Sequence, residues 1–412
     1  MLYEISAPSK IQSTIQLPAS KSISNRALII HSLSHGVNTP SNLSDCDDTN
    51  VMIHALREMP ETIDIQAAGT AMRFLTAFLS IQNETHIITG TERMQHRPIE
   101  VLVDALNTLG AHIEYMKREG YPPLRIIGQS RETWKDVIQL PGNVSSQYVS
   151  ALLMIAPYLP KGLTIKLTGN VVSRPYIQMT MEIMREYGAS TEWIGENLII
   201  VSPSPYQDIP FIVENDWSAA SYWYEIVALS SSSETEIKLP GLYKHSYQGD
   251  SEVAWIFEKL GVFTTFHPDK SISIQKIQSS PTLFEYDFVN QPDLAQTLVV
   301  TCSMLNIPFR FTGLQSLKIK ETDRIAALII EMKKLGYLLK EEANSILFWE
   351  GERCEASLEP IETYEDHRMA MAFAPASLVI PNLRINHPEV VSKSYPHYWD
   401  DLRKAGFIIK EK

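Results

Sequence analysis

The feature that most constrains the fold of this chain is an amphipathic helical stretch ending in glycine that recurs along its length. Five such stretches have apolar residues at helical spacing, and their final glycine suits the left-handed cap of a helix. They are residues 101–110, 181–188, 253–261, 329–336 and 398–406, so the glycines lie 70 to 78 residues apart. A sixth, degenerate copy at 51–59 is followed by Pro60. A near-constant period indicates a repeated supersecondary unit.

A second and more apolar kind of helix alternates with the first. These helices are expected to begin near Lys21, Thr70, Ser146, Ser218, Asp293 and His367. The stretch 148–156 is apolar nearly all round, which predicts helices that are buried beneath sheets. Each repeat then reads strand, apolar helix, strand, amphipathic helix, strand, strand, and six repeats account for the 412 residues. We therefore expect an α+β fold with buried helices and outer sheets.

The length of the chain favours two domains of three repeats each. The mid-chain crossing between them is expected near residues 214–216. We predict a first domain at 20–214 and a second domain that combines 1–19 with 215–412.

Composition and charge narrow the classes of function. A formal net charge of −12 argues against a general nucleic-acid binder. No apolar run approaches the roughly 18 residues needed to cross a bilayer, and the first residues lack the pattern of a secretory signal. Cys46, Cys302 and Cys354 are far apart and have no metal-ligand spacing. These features predict a cytoplasmic protein with neither a nucleic-acid partner nor a membrane partner.

Against this acidic background, basic residues gather just before the predicted helix starts. They are Lys21, Arg26, Arg97, Arg174, Lys320, Arg324, Arg368 and Lys393. Exposed backbone N–H groups at a helix start favour anions, and arginine adds a donor fork suited to carboxylate or phosphate. One such loop is more often an ordinary solvated helix end. Their recurrence at equivalent edges of the repeats predicts a cationic cleft for a ligand with at least two anionic groups.

Hydroxyl and acidic residues occur in the same loops. Ser145 and Ser146 offer donors for a hydroxylated ligand, although one of them could serve only as a helix N-cap. Asp293, Glu321 and Asp366 lie beside predicted helix starts, where carboxylates either cap the helix or transfer protons. The usual nucleotide-binding, zinc-protease and serine-hydrolase motifs are absent from the sequence.

Eight short motifs, in order along the whole chain, resemble those of the 5-enolpyruvylshikimate-3-phosphate synthases. They are LPASKSISNR at 17–26, AGTAMR at 68–73, HRP at 96–98, PGNVSSQ at 141–147, SRPY at 173–176, KETDR at 320–324, DHRMA at 366–370 and KSYP at 393–396. The resemblance implies a two-domain inside-out α/β barrel of six βαβαββ units. It also implies transfer of the enolpyruvyl group of phosphoenolpyruvate to the 5-hydroxyl of shikimate 3-phosphate through a tetrahedral adduct, with release of phosphate. This reaction belongs to chorismate and aromatic amino acid biosynthesis.

The resemblance carries roles to individual residues of this chain. Shikimate 3-phosphate would be bound by Lys21, Ser22, Arg26, Ser145, Ser146, Gln147, Ser173, Tyr176, Asp293, Ser316 and Lys320. Phosphoenolpyruvate would be bound by Lys21, Gly69, Arg97, Gln147, Arg324, Arg368 and Lys393. Asp293 would take the proton of the 5-hydroxyl, and Glu321 with Lys21 would protonate and deprotonate the methylene of phosphoenolpyruvate. The family needs no metal or organic cofactor, and we expect a monomer whose domains close on the substrates.

The chain departs from the family pattern at a few positions. Ala67 replaces an asparagine, Phe74 stands where proline is common, and Ser316 occupies a position that is asparagine in some members. The stretch 46–67 is short, which predicts that the first repeat lacks a pair of strands. We expect these changes to alter affinity and inhibitor response without abolishing the reaction.

Two alternative functions stay open from the sequence. One is the sister enolpyruvyl transferase that acts on UDP-N-acetylglucosamine, which typically uses a loop cysteine that has no counterpart here. The other is a non-catalytic paralogue that binds phosphorylated metabolites. The changes at Ala67 and Ser316 favour this alternative, and the retained Lys21, Asp293 and Glu321 argue against it.

Overall fold

A computed structural model describes residues 1–279 and 281–412, and these divide into two compact units. The first compact unit is Ala19–Val213. The second compact unit combines Met1–Pro18 with Glu214–Lys412. Among the described residues, helices are too short or too polar to cross a membrane.

The elements follow one another in the order that the repeats predict. The strands are β1 (Leu2–Ser6), β2 (Gln12–Thr14), β3 (Thr62–Asp64), β4 (His86–Thr89), β5 (His112–Tyr115), β6 (Leu124–Ile127), β7 (Val137–Pro141), β8 (Leu163–Thr168), β9 (Thr191–Ile194), β10 (Leu198–Val201), β11 (Glu236–Pro240), β12 (Val262–Phe266), β13 (Ser271–Lys276), β14 (Phe284–Asp287), β15 (Phe309–Thr312), β16 (Lys340–Glu342), β17 (Ile346–Trp349), β18 (Leu383–Asn386) and β19 (Ile408–Glu411). The α-helices are α1 (Lys21–Ser34), α2 (Asp47–Glu58), α3 (Gly69–Ser80), α4 (Glu100–Leu109), α5 (Ser146–Ile155), α6 (Arg174–Glu186), α7 (Trp217–Leu229), α8 (Val253–Glu258), α9 (Ala295–Met304), α10 (Arg324–Lys334), α11 (His367–Phe373) and α12 (Tyr398–Lys404).

Four sheets share one topology. Their strand orders are β3-β4-β6-β5, β7-β8-β10-β9, β2-β11-β13-β12 and β14-β15-β17-β16. In each, the first pair is parallel and the other two pairs are antiparallel. A parallel pair needs a crossover connection, and an apolar helix lies in each of these connections. Between β2 and β11 the connection also contains the whole first compact unit. This is the βαβαββ unit expected from the sequence.

Two repeats deviate from the pattern. In the last one, β1 from the N-terminus lies between β18 and β19, and a parallel bridge from Ile361 to Ile385 takes the place of the first strand. In the first one, α2 ends at residue 58 and β3 begins at residue 62, so the antiparallel pair is missing, as predicted. Each sheet formed by the described residues is open, so the predicted inside-out arrangement consists of open sheets over buried helices and not of a closed barrel of strands.

The apolar helices form the interior of each compact unit, and the α+β prediction is confirmed. Every residue of α3, α9 and α11 is buried, as are all of α7 except Ser218 and all of α5 except Gln147. The strands instead alternate between buried and more exposed residues, as in β4 and β15. One face of each of these strands therefore covers helices, and the other is accessible.

The periodic glycines end their helices as predicted. Gly110, Gly188, Gly261, Gly336 and Gly406 all have φ between +86° and +134°. A side chain would strain a backbone in this region, so glycine is the suitable residue. In the degenerate copy, Met59 caps α2 with φ +43°, and Pro60 follows it.

Candidate active site

In the first compact unit, the predicted site begins at the N-terminus of α1. The hydroxyl of Ser20 caps the helix by accepting a hydrogen bond from the Ile23 amide. Lys21 follows, and its Nζ lies 3.4 Å from Oδ2 of Asp48 in the first turn of α2. The next residue, Ser22, is half-buried. Asp48, which the motif did not reveal, therefore holds the lysine at the helix start.

Arg26 points into the helix core. Its Nε donates to Thr180 Oγ1 at 2.6 Å, Nη1 to the carbonyl of Ser22 at 2.8 Å, and Nη2 to Ser150 Oγ at 3.2 Å. The guanidinium also lies 5.1 Å from the ring centroid of Phe74, the residue that replaces the family's proline. Burial lowers the pKa of Arg26 to about 9. In this arrangement Arg26 fixes the first turn of α1, including the predicted ligand Ser22.

Gly69 begins α3, and the guanidinium of Arg97 lies against it. The loop that carries Arg97 is fixed at its next residue: the carbonyl of Pro98 accepts hydrogen bonds from Arg73 Nη2 at 3.0 Å and from Tyr148 Oη at 2.7 Å. Arg73 also donates to the carbonyl of Gly69 at 3.0 Å. Arg73 and Tyr148 are thus positioning residues for the predicted small-anion site.

The start of α5 contacts the start of α3. Gln147 Nε2 donates to Thr70 Oγ1 at 3.2 Å, which brings two predicted substrate loops together. Ser145 is the N-cap of α5 and accepts a hydrogen bond from the Gln147 amide at 3.3 Å. Ser146 is buried. Of the two serines, Ser145 is therefore the one whose hydroxyl caps the helix, which was one of the interpretations left open.

The three predicted residues at the start of α6 have different surroundings. Ser173 is buried, has φ +53° and makes no capping hydrogen bond with its side chain. The guanidinium of Arg174 instead lies 4.2 Å from the ring centroid of Trp193 on β9. Tyr176 offers its carbonyl to Thr180 Oγ1 at 2.9 Å. Arg174 stacks on a strand, so its inclusion among the ligand-facing cations is wrong for this structure.

In the second compact unit, Asp293 lies among three cations. Its Oδ2 is 2.7 Å from Nη2 of Arg368, and its Oδ1 is 3.2 Å from Nη1 of Arg324 and 3.6 Å from Nζ of Lys320. Burial raises the pKa of Asp293, but the cations, Arg368 foremost, lower it further, and the net pKa lies well below the usual range. Asp293 is therefore ionised near neutral pH and can accept a proton.

Arg324 joins the predicted acids of the site. It is the first residue of α10, and its Nε donates to Oδ2 of the buried Asp366 at 2.7 Å while Nη2 donates to Oε2 of Glu321 at 2.8 Å. Burial lowers the pKa of Arg324, but the carboxylates outweigh it and raise the pKa above the usual value. Asp366 also caps α11 by accepting a hydrogen bond from the Arg368 amide at 2.9 Å. The cap interpretation of Asp366 is confirmed, and its contact with Arg324 places it in the predicted site, whereas the proton-transfer interpretation stays a prediction.

Sequence reasoning missed two further groups near this cluster, one that contacts Arg368 and one whose pKa responds to Asp293. Tyr222 on α7 shares a 3.3 Å hydrogen bond with Arg368 Nη1. Asp250 is buried and accepts a hydrogen bond from Ser218 Oγ; its burial, together with the Asp293 carboxylate, raises its pKa to about 6. No recognisable sequence motif surrounds Tyr222 or Asp250. Each is identified only by its position in the structure near a residue that is distant in sequence.

The remaining predicted residues of this unit lie in its loops. Lys393 donates from Nζ to the carbonyl of Glu365 at 2.8 Å, one residue before Asp366. Ser316 is half-buried in a 3-10 turn, Gln315–Ile319, that leads to Lys320. The second compact unit therefore assembles Asp293, Lys320, Arg324 and Arg368 by direct contact and joins Lys393 to them through one backbone turn.

Comparison with known proteins adds independent information. The sequence model of the family described as EPSP synthase (3-phosphoshikimate 1-carboxyvinyltransferase) matches residues 5–64 and 59–402. The 3-phosphoshikimate 1-carboxyvinyltransferase of Bacteroides fragilis is 63% identical over 411 residues, covering 100% of this chain and 99% of the relative. The enzyme of the same name from Vibrio cholerae is 34% identical, covering 96% of this chain and 97% of the relative.

Solved structures share the fold. EPSP synthase from Acinetobacter baumannii has a TM-score of 0.76 at 20% identity, with 100% of both chains covered. The enolpyruvyl transferase NikO from Streptomyces tendae has a TM-score of 0.72 at 14% identity, covering 100% of this chain and 98% of the other. These two likenesses concern the fold alone. The family-wide sequence match and the identity over the full length confirm what the eight motifs predicted: the chain belongs to the EPSP synthase family.

Proposed function

We propose that this protein is a 3-phosphoshikimate 1-carboxyvinyltransferase. It transfers the enolpyruvyl group of phosphoenolpyruvate to the 5-hydroxyl of shikimate 3-phosphate and releases phosphate. Relatives that bear the name of this activity cover the chain from end to end. The observation that carries the proposal is the cluster around Asp293, where an ionised carboxylate lies within 3.6 Å of three cations.

We propose the following division of work among the residues. Asp293 removes the proton of the 5-hydroxyl as that oxygen attacks C2 of phosphoenolpyruvate. In the same step, Glu321 with Lys21 delivers a proton to C3, and in the next step they remove one. The tetrahedral adduct then loses phosphate as C3 is deprotonated. Arg97, Arg324, Arg368 and Lys393, with Gly69 and Gln147, bind the phosphate and carboxylate of phosphoenolpyruvate, where fixed cations stabilise the shifting charge. Shikimate 3-phosphate is bound by Lys21, Ser22, Arg26, Ser145, Ser146, Gln147, Ser173, Tyr176, Ser316 and Lys320.

The experiment that tests this function is release of phosphate from phosphoenolpyruvate, with shikimate 3-phosphate or UDP-N-acetylglucosamine as the acceptor. We expect release with shikimate 3-phosphate alone, and loss of that release in Asp293→Ala. Release with the nucleotide sugar alone would assign the chain to the sister activity. Release with neither acceptor would favour a binding protein without catalysis.

We further propose that the protein works as a cytoplasmic monomer. Its three cysteines are free, and Cys46 and Cys302 are buried, which suits a reducing compartment. Light scattering coupled to gel filtration tests the monomer: a mass near 46.6 kDa supports it, and twice that mass refutes it.

A further inference from the structure

The segment that leads into α11 is held to α10 at alternate residues. Lys334 Nζ donates to the carbonyl of Pro360 at 3.0 Å, the Glu362 amide to Glu331 Oε2 at 3.1 Å, and Tyr364 Oη to Glu331 Oε1 at 2.6 Å. Glu331 is completely buried and also lies 2.8 Å from Lys334 Nζ. We call these five residues the Glu331 anchor. Both oxygens of one buried carboxylate thus serve a single neighbouring segment.

The anchored segment ends in a strained turn. Tyr364 and Glu365 both have φ +54°, although neither is glycine. The turn is closed by a 2.8 Å hydrogen bond from the Asp366 amide to the carbonyl of Thr363. Two successive residues with side chains in the left-handed region persist only where surrounding contacts hold them. The hydroxyl of Tyr364 on Glu331 is such a contact at the first of the two.

The strained turn presents groups to the candidate active site. The carbonyl of Glu365 accepts the hydrogen bond from Lys393 Nζ at 2.8 Å. The next residue, Asp366, binds Arg324 through Oδ2 at 2.7 Å and caps the amide of Arg368 through Oδ1 at 2.9 Å. A shift of this turn therefore moves the partners of the Lys393 and Arg324 side chains and of the Arg368 backbone amide, three residues that we assign to phosphoenolpyruvate.

We propose that Glu331 is a positioning residue for the phosphoenolpyruvate side of the site, acting through Tyr364 and the strained turn. Glu331 lies two helical turns after Arg324 on α10. The same helix therefore contacts Tyr364 through Glu331 and Asp366 through Arg324. The kinetic part of this inference rests on the proposed function. Its structural part does not.

The hydroxyl of Tyr364 is the suitable target. Removing the carboxylate of Glu331 would leave Lys334 without its buried partner and endanger folding. Tyr364→Phe removes the hydrogen bond from Oη to Glu331 and keeps the ring. The matched control is Tyr224→Phe, because the buried Tyr224 pairs its hydroxyl with Thr264 Oγ1 at 2.8 Å, outside the candidate active site.

We expect Tyr364→Phe to lower kcat/KM for phosphoenolpyruvate about tenfold, the size of effect of one hydrogen bond to a charged group. The dissociation constant of shikimate 3-phosphate should not change, and the thermal midpoint should fall no more than in Tyr224→Phe. Adding Glu365→Gly should restore most of the lost kcat/KM, since glycine adopts positive φ without strain. Equal kinetics in the two tyrosine variants, or no recovery with the glycine, would overturn the proposal.

Hydrogen exchange supplies a readout that does not depend on the proposed reaction. In Tyr364→Phe, amides of residues 362–366 should exchange about tenfold faster than in the wild-type protein, because the turn opens more readily. Unchanged exchange in this segment would overturn the positioning role even if turnover falls. If the wild-type protein shows no turnover, the proposed function fails, and the exchange measurement alone decides the role of Glu331.

Discussion

Gly69 has no room for a side chain, because the Arg97 guanidinium lies over it. A Cβ added to Gly69 would lie 2.5 Å from Nη1, 3.0 Å from Cζ and 3.1 Å from Nη2 of Arg97. Ordinary contact begins near 3.4 Å, so Gly69→Ala must push the guanidinium back by about 0.9 Å. The far end of a side chain moves more easily than a helix, and we expect α3 to stay in place.

The size of the effect follows from that displacement. A charge-assisted hydrogen bond from arginine to phosphate is about 2.8 Å long, and adding about 0.9 Å takes it beyond the usual limit. Loss of such a bond costs roughly 1.5–3 kcal/mol, which corresponds to an increase of about 10- to 150-fold in KM for phosphoenolpyruvate. Alanine also favours a helix over glycine by up to about 1 kcal/mol. Activity and stability should therefore change in opposite directions.

A double-mutant cycle tests this reasoning. Steady-state kinetics and urea denaturation are measured for Gly69→Ala, Arg97→Ala and the double variant. If the methyl group acts through the guanidinium, Gly69→Ala has no further effect on KM once Arg97 is alanine. An equal increase in KM in both backgrounds would refute the proposed contact, and a lower urea midpoint in Gly69→Ala would show that α3 itself is displaced.

Three further substitutions test other parts of the site. Asp293→Asn should lower kcat by roughly 100- to 10,000-fold, the range for a general base, while calorimetry still detects shikimate 3-phosphate binding. Arg174→Ala should leave kcat and KM unchanged, because its guanidinium stacks on Trp193, and a tenfold loss would contradict that placement. Burial, with Asp293, raises the pKa of Asp250 to about 6, so folding binds a proton between pH 4 and 6 and stability falls as pH rises through that window. Asp250→Asn should therefore raise the urea midpoint more at pH 7.5 than at pH 4.5; equal shifts at both values would contradict the assigned pKa.

Much of the fold follows from patterns within a few residues of one another. The left-handed cap of a helix favours glycine, and this preference depends only on neighbouring residues. The glycines at the ends of the amphipathic helices therefore showed the repeat period in the sequence. Helices that are apolar on all sides, such as α5, are buried for an equally local reason. The pairing of β1 with β18 and β19 does not follow from local patterns, because it joins the two ends of the chain.

The site was less predictable where its contacts cross long stretches of sequence. Asp48 holds Lys21 from the next helix, and Tyr222 reaches Arg368 over 146 residues. Neither partner carries a local signal. The direction of an arginine side chain is equally hidden: Arg26, in the second turn of α1, points into the helix core, and Arg174, the first residue of α6, stacks on a strand.

The cations of the second compact unit are already paired with carboxylates in the structure. Three carboxylates face three cations there: Asp293, Glu321 and Asp366 with Lys320, Arg324 and Arg368. An incoming anion must therefore compete with carboxylates for the guanidinium groups. A carboxylate with a strongly lowered pKa is a weak base. An anion that weakened the contacts of Arg324 and Arg368 with Asp293 would raise the pKa of Asp293 towards the working pH. The cations around Asp293 therefore set its strength as a base, and an anionic ligand that contacts them would change that strength.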